Sequence, residues 1–346
     1  MYAALYRRFS GPIEIIDLPD PTPEPDGVVV RVEATGLCRS DWHGWMGHDT
    51  DITLPHVPGH ELAGTIVAIG AGVQMWHVGD RITVPFVAGC GTCQACRSGN
   101  EQVCEQQFQP GFTAWGSFAE FVGLRYADRN LVRLPGEIDS VTAAILGCRF
   151  GTAFRAVVDQ GRVETGEWVA VYGCGGAGLA AIMIARAFGA RVVAVDPDED
   201  ALEFATRLGA DAAIAGRDSS TILATVTDVT SGGPNLSVDA IGSPEVVATS
   251  IASLRRRGRH VQIGLLPDNV TEIPMGPVIG RELEILGSHG MQAHRYPAML
   301  DMILEGRLEP HLLVTKRIPL SQLPEALPNM GESHGPGITV IDRFDA

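Results

Sequence analysis

The chain has 346 residues, of which 45% are hydrophobic and 19% charged, with a formal net charge of -15. That length is about two domains, and the balance suits a soluble globular enzyme. The negative charge argues against a nucleic-acid partner, residues 1–11 lack the apolar run of a signal peptide, and no stretch approaches the ~18 uninterrupted apolar residues of a membrane helix.

Along the first 150 residues, segments 27–32, 64–69 and 81–84 read as short strands separated by turn residues. That pattern predicts a small β-barrel or sandwich. Between and after these strands lie Cys38-Arg39-Ser40-Asp41-Trp42-His43 and Gly59-His60-Glu61. Then Cys90, Cys93, Cys96 and Cys104 follow with gaps of two, two and seven residues. Four thiolates can close a tetrahedral shell around Zn²⁺, and a shell with no open position is structural rather than catalytic. Gly89, Gly91, Ser98 and Gly99 allow the loop to bend that tightly. The rival reading is a pair of disulfides, which needs an oxidising compartment. Seven cysteines make an odd count, and Cys38, Cys148 and Cys174 are scattered. A reduced, cytoplasmic chain with metal-ligand cysteines fits that better.

From about Trp168 the texture changes. Residues 169–172 read as a buried strand, followed by a glycine turn and a helix with Leu179, Ile182, Met183 and Ala187 on one face. Residues 191–195 form the next strand, residues 201–208 a helix stopped by Gly209, and 237–240 and 260–264 two further strands. Strand and helix in alternation predict a parallel, doubly wound sheet. The turn Gly173-Cys174-Gly175-Gly176-Ala177-Gly178 reads G-x-G-x-x-G and leads to Asp196 at the end of the next strand. In that context it is a dinucleotide site. Gly173 makes the sharp turn, Gly175 lets backbone approach the pyrophosphate with Gly176 beside it, and Gly178 permits close helix–strand packing. Asp196 would accept hydrogen bonds from the ribose hydroxyls and repel a 2′-phosphate, which favours NAD over NADP. Cys174 reads as a small packing residue. The basic run Arg255, Arg256, Arg257 and Arg259 reads as a solvated turn. After about Arg281 the pattern loosens into a tail with Pro310, Pro319, Pro324, Pro328 and Pro336.

Taken together, the four-cysteine loop, the glycine turn, the Cys38 and His60 segments and Cys148 resemble the zinc-containing medium-chain alcohol dehydrogenases, end to end and in order. The resemblance implies a mixed α/β chain. A GroES-like, β-rich catalytic domain at 1–149 and 285–346 would flank a Rossmann doubly wound parallel-sheet domain at 150–284, with the active site in the cleft between them. It implies that Cys38, His60 and Cys148 hold a catalytic zinc with one position left for water or alcohol, and that each subunit carries this zinc and a structural one. Glu61 matches an acidic neighbour of the zinc, and Asp41 a carboxylate bonded to the ligand imidazole. Ser40 and His43 match a proton relay, Trp45 and Phe86 the substrate pocket, and Arg39 a pyrophosphate contact. The implied reaction is reversible hydride transfer between an alcohol and NAD, giving an aldehyde or ketone, in a homo-oligomer of two or four subunits. One departure stands out. The family often carries Gly-Arg before the last strand, its arginine on the pyrophosphate, where this chain has Gly337-Ile338. A polyol dehydrogenase would often put a carboxylate at Cys148. A zinc-ribbon binding module would need neither His60 nor Asp196. A zinc-free quinone reductase or crystallin descendant would have lost Cys38, His60 and Cys148.

Overall fold

The computed structural model describes residues 1–266, 270–331 and 335–344. Its first sheet is built on the strand Val28–Leu37, whose residues are buried except at Arg31 and, in part, Glu33. This strand pairs antiparallel with Glu61–Ile69, Phe121–Leu124 and Ile338–Arg343. Arg81–Thr83 and Val132–Arg133 extend the sheet on one side and Val314–Pro319 on the other, giving seven strands. A register shift between Val32 and Ala34 against Glu61–Ile69 marks a bulge, which bends and twists the strand just before Cys38.

The second sheet is six-stranded, with all of its pairs parallel. Its order is Ala212–Ala215, Arg191–Asp196, Trp168–Tyr172, Leu236–Asp239, Arg259–Gln262, Glu284–Gly287. Trp168–Tyr172 is buried at every position, as a central parallel strand covered on both faces should be. The strand order reverses beside it, and that switch point is where such sheets bind ligands. The helix Gly176–Ala187 is buried at every residue from Gly178 to Ala185, not on one face only. It lies between the sheet and the chain segment carrying Phe150 and Phe154, and one apolar cluster runs from Ala34 and Ala63 through Phe150 and Phe154 to Leu179 and Ile182. The parallel sheet takes in Glu284–Gly287, beyond the boundary expected at 284.

The proline-rich tail is more ordered than its sequence suggests. Val314–Pro319 runs parallel to Ile338–Arg343, which returns to the first sheet with Thr339 opposite Leu37. The basic run fills the turn after the helix Pro244–Ser253 and ends on Arg259, the first residue of the strand Arg259–Gln262. Arg255 donates to the carbonyls of Gly233 and Thr230, Arg257 pairs with Glu282, and Arg259 pairs with Glu167. Arg255 thus closes the turn, while Arg257 and Arg259 pair with carboxylates of other segments.

Candidate active site and metal centres

Cys38 ends the strand Val28–Leu37 and caps the helix Arg39–Met46. Asp41, in the first turn of that helix, is buried and accepts three hydrogen bonds: from the Cys38 amide at 3.0 Å, the Gly59 amide at 3.1 Å and His60 Nδ1 at 2.8 Å. Gly59 adopts φ +104°, and a Cβ there would lie 2.6 Å from the Phe118 amide nitrogen. Only glycine fits that bend, and the bend delivers His60. With Nδ1 donating to Asp41, Nε2 is left with its lone pair, and it is buried with no hydrogen-bond partner.

Cys148 arrives from a different part of the chain. It sits in a π-helical turn, Leu146–Phe150, a wide turn often found at functional sites. The Gly147 carbonyl accepts from the Phe86 amide at 3.0 Å, and the Leu146 carbonyl accepts from the Tyr296 hydroxyl at 3.0 Å. These bonds fix the turn so that the ligand atoms of Cys38, His60 and Cys148 lie within 4.8 Å of one another. The hydrogen bond from Cys148 holds the Cys38 thiol well below its ordinary range, and the same bond pushes Cys148 well above it. Two thiols and an orphaned imidazole nitrogen in a buried pocket form a three-ligand set suited to zinc with an open position.

Glu61, the residue after His60, is fully buried and faces Arg149. Its Oε1 accepts from the Arg149 amide at 2.8 Å and from Nε at 3.0 Å, and its Oε2 accepts from Nη2. Burial pushes the Glu61 carboxyl up, against the pull of Arg149. Nothing in the sequence paired these residues; Arg149 directly follows Cys148, and only the π turn aims it at Glu61.

Ser40 Oγ lies 3.8 Å from Cys38 Sγ. His43 is half-buried, and its Nδ1 is 2.9 Å from Nδ1 of exposed His48. Burial, then the neighbouring charge of His48, lowers the His43 pKa. His48 was not foreseen, since five residues along a short helix and turn gave no pairing signal. Phe86 lies 6.0 Å from the His60 ring, and Phe112, also unforeseen, lies 5.0 Å from it. Trp45 belongs to the same apolar cluster as Phe112, and its indole N–H donates to the Gly11 carbonyl at 2.9 Å. Arg39 is exposed, its guanidinium 5.5 Å from the Trp42 ring centre.

The four-cysteine loop places its sulfurs within 4.8 Å of one another. Cys93 and Cys104 sulfurs are 3.7 Å apart and every cysteine is free, far from the ~2.05 Å of a disulfide. Backbone amides aim at the sulfurs: Cys90 at Cys104, Thr92 and Cys93 at Cys90, Cys96 at Cys93, Gln106 at Cys104. Such donors favour thiolates. The hydrogen bond with Thr92 brings the Cys90 thiol down to about 6, whereas burial pushes Cys96 up to about 12. Asn130 clamps the loop base, exchanging two hydrogen bonds with the Gly89 backbone. This donor set fits a closed tetrahedral zinc.

At the glycine turn, Gly173 has φ +94° and its amide donates to the Val195 carbonyl. A Cβ on Gly178 would lie 1.7 Å from the Gly173 carbonyl oxygen, so the helix meets the turn only because Gly178 has none. A Cβ on Gly175 would meet nothing within 4 Å, which leaves open space at the helix N-terminus, where the amides and dipole favour phosphate. Asp196 accepts from the Cys174 and Asp198 amides; its carboxylate retains lone pairs for a ribose. Burial raises the Cys174 thiol, consistent with packing.

Comparison with known proteins agrees with this geometry. Residues 24–136 match the family model described as an alcohol dehydrogenase GroES-like domain, and 176–305 match that of a zinc-binding dehydrogenase. An alcohol dehydrogenase of Geobacillus stearothermophilus is 34% identical over 290 residues, 83% of this chain and 84% of that protein. The crystal structure of an NAD-dependent alcohol dehydrogenase has a TM-score of 0.89 at 31% identity, covering 99% of this chain and all of that one (100%). The alcohol dehydrogenase of the archaeon Aeropyrum pernix has a TM-score of 0.89 at 29% identity, covering 99% and 100%. Two family models on the two halves, and relatives matching across both, carry one conclusion: this chain belongs to the zinc-containing medium-chain alcohol dehydrogenase family.

Proposed function

We propose that the chain oxidises an alcohol with NAD, reversibly, and that each subunit holds one zinc at Cys38, His60 and Cys148 and another at Cys90, Cys93, Cys96 and Cys104. The observation that carries this reading is the His60 ring, whose Nδ1 is held by Asp41 while the buried Nε2 has no partner beside two thiols. When bound, the first zinc supplies a Lewis acid that acidifies an alcohol hydroxyl, and NAD supplies the hydride acceptor. Asp41 fixes the His60 tautomer and strengthens it as a ligand. Ser40, beside Cys38, takes the alcohol proton. His43, kept neutral by burial, receives it, and His48 passes it outward to solvent. Phe86 and Phe112 form an apolar wall beside His60 that limits water and holds a carbon chain; Trp45 supports that wall. Asp196 binds the adenosine ribose and selects NAD, and the open side of Gly175 admits the pyrophosphate.

The exposed Ile285 on the edge strand Glu284–Gly287, with exposed Ile279 and Met275 nearby in sequence, supports a homo-oligomeric enzyme. Seven free thiols support a reducing compartment such as the cytoplasm. Among the described residues no helix is long and apolar enough to cross a membrane. The test is zinc analysis together with NADH formation over a panel of primary, secondary and polyhydric alcohols. The reading predicts two zincs per subunit and turnover lost in Cys38→Ser and His60→Ala. Full turnover in zinc-stripped protein would overturn it.

A further inference from the structure

Arg149 is only 9% exposed and carries more hydrogen-bonding capacity than its partner uses. Its Nε and Nη2 are engaged by Glu61, as is its own amide. Its Nη1 makes no hydrogen bond among the described residues. That nitrogen is directed at the N-terminus of the helix Gly176–Ala187: a Cβ built on Gly176 would lie 2.9 Å from Arg149 Cδ and 3.3 Å from Nη1. The same Cβ would lie 3.1 Å from Ile338 Cγ1. Arg149 and Ile338 therefore reach one spot, the first turn of this helix, from two different segments.

A guanidinium is planar, permanently charged and arrayed to grip phosphate oxygens. A nearly buried one with an idle nitrogen beside a helix N-terminus is positioned for a phosphate group. Glu61 fixes the plane of the guanidinium before any ligand arrives, so little rotamer freedom is lost on binding. Gly175 leaves open space next to it, and Gly176, also without a Cβ, lets the guanidinium approach. Ile338 is buried, and its side chain offers no polar atom. Among the described residues, Arg149 is a cation that the fold brings to this helix terminus.

We infer that Arg149, through Nη1, is a pyrophosphate contact of this chain's dinucleotide site, supplied from the Cys148 turn rather than from the strand Ile338–Arg343. The inference rests on the NAD reading given above. It also makes Arg149 a shared group: Glu61 and the pyrophosphate draw on one guanidinium, so removing the Glu61 charge strengthens the hold on the cofactor.

The test is calorimetric binding of ADP-ribose, which has the pyrophosphate and no nicotinamide, to zinc-loaded protein. Four forms are compared: wild type, Glu61→Gln, Arg149→Gln and Glu61→Gln/Arg149→Gln. The single arginine variant leaves Glu61 buried and unpaired, so the double variant guards against a folding failure; zinc content and circular dichroism report that the fold is intact. The expected result is ADP-ribose affinity in Glu61→Gln at or above wild type, and a loss of about tenfold to a hundredfold in the double variant, the size of one hydrogen bond to a charged group. If wild type fails to bind ADP-ribose, the dinucleotide reading fails and takes the inference with it. If wild type binds and the double variant matches Glu61→Gln, the dinucleotide reading stands and the role of Arg149 is overturned.

Discussion

Replacing Asp41 by Asn isolates what this carboxylate does for the candidate metal centre. One of its oxygens accepts from both Gly59 and His60, and the other accepts from Cys38. All three groups are donors, so an amide in this place always turns its NH₂ on one of them. The least damaging rotamer keeps the amide oxygen on Gly59 and His60 and sets its NH₂ against the Cys38 amide. One hydrogen bond is lost and two buried donors, the Cys38 amide and the new NH₂, are left facing each other, at about 1–3 kcal/mol for each unsatisfied group. The remaining bond to His60 loses its ionic character. Loss of such an outer partner lowers metal affinity about tenfold to a hundredfold, or roughly 1.4–2.7 kcal/mol. Zinc competition with a chromophoric chelator measures this, with the four-cysteine loop, which Asp41 does not bond, as the internal reference. Urea unfolding of metal-free protein measures the structural part separately. Asp41→Ala, which removes every acceptor, should be worse on both counts. Wild-type zinc affinity at the Cys38 site in Asp41→Asn would refute the idea that Asp41 sets the His60 ligand.

Cys93→Ser should drop one zinc per subunit and promote unfolding or aggregation, because a structural zinc can hold on the order of 10 kcal/mol of apparent binding energy; a stable variant with full zinc content contradicts this. Asp196→Ala should weaken NAD binding and raise relative use of NADP, since it removes the repulsion of a 2′-phosphate; a wild type that already prefers NADP would refute the ribose assignment. His43→Gln should slow alcohol oxidation about tenfold to a hundredfold near neutral pH and recover at high pH, and identical pH profiles would remove His43 from the relay. Buried His260 bonds Ser237 and Gln262, and burial lowers its pKa from 6.5 to about 4. The unfolded chain therefore takes up this proton first as pH falls. The stability His260 gives is full above pH 6.5 and is lost between there and about pH 4, by about 3 kcal/mol. His260→Gln should flatten unfolding free energy against pH across that window, and an unchanged slope would refute it.

The parts of the site that obey local rules were legible in the sequence. Gly173 and Gly178 answer to steric demands within one turn, and Cys90 to Cys104 close a loop on themselves. Cys38, His60 and Cys148 belong to separate segments, and it was family resemblance rather than spacing that joined them. Arg149 on Glu61 was invisible, because a π turn and a strand from different segments make that pair. His48 and Phe112 were missed for the same reason: each becomes a neighbour only through side-chain direction in three dimensions. The tail misled in the opposite sense. Its prolines suggested loose chain, but Pro319 falls at the end of a strand and Ile338 begins another, positions where a missing amide or a turn does no harm.

The strand Ile338–Arg343 has a consequence for how the enzyme is made. It pairs with the residues directly before Cys38, with Thr339 opposite Leu37 and Ile341 opposite Thr35. During synthesis, the six-stranded parallel sheet is complete once Gly287 has emerged, and it can fold as a unit while the chain is still growing. One flank of the strand that leads to Cys38, by contrast, is covered only by a strand translated much later. The nascent chain can thus have its parallel sheet assembled while the strand leading to Cys38, already able to pair with Glu61–Ile69 on one flank, still has its other flank open.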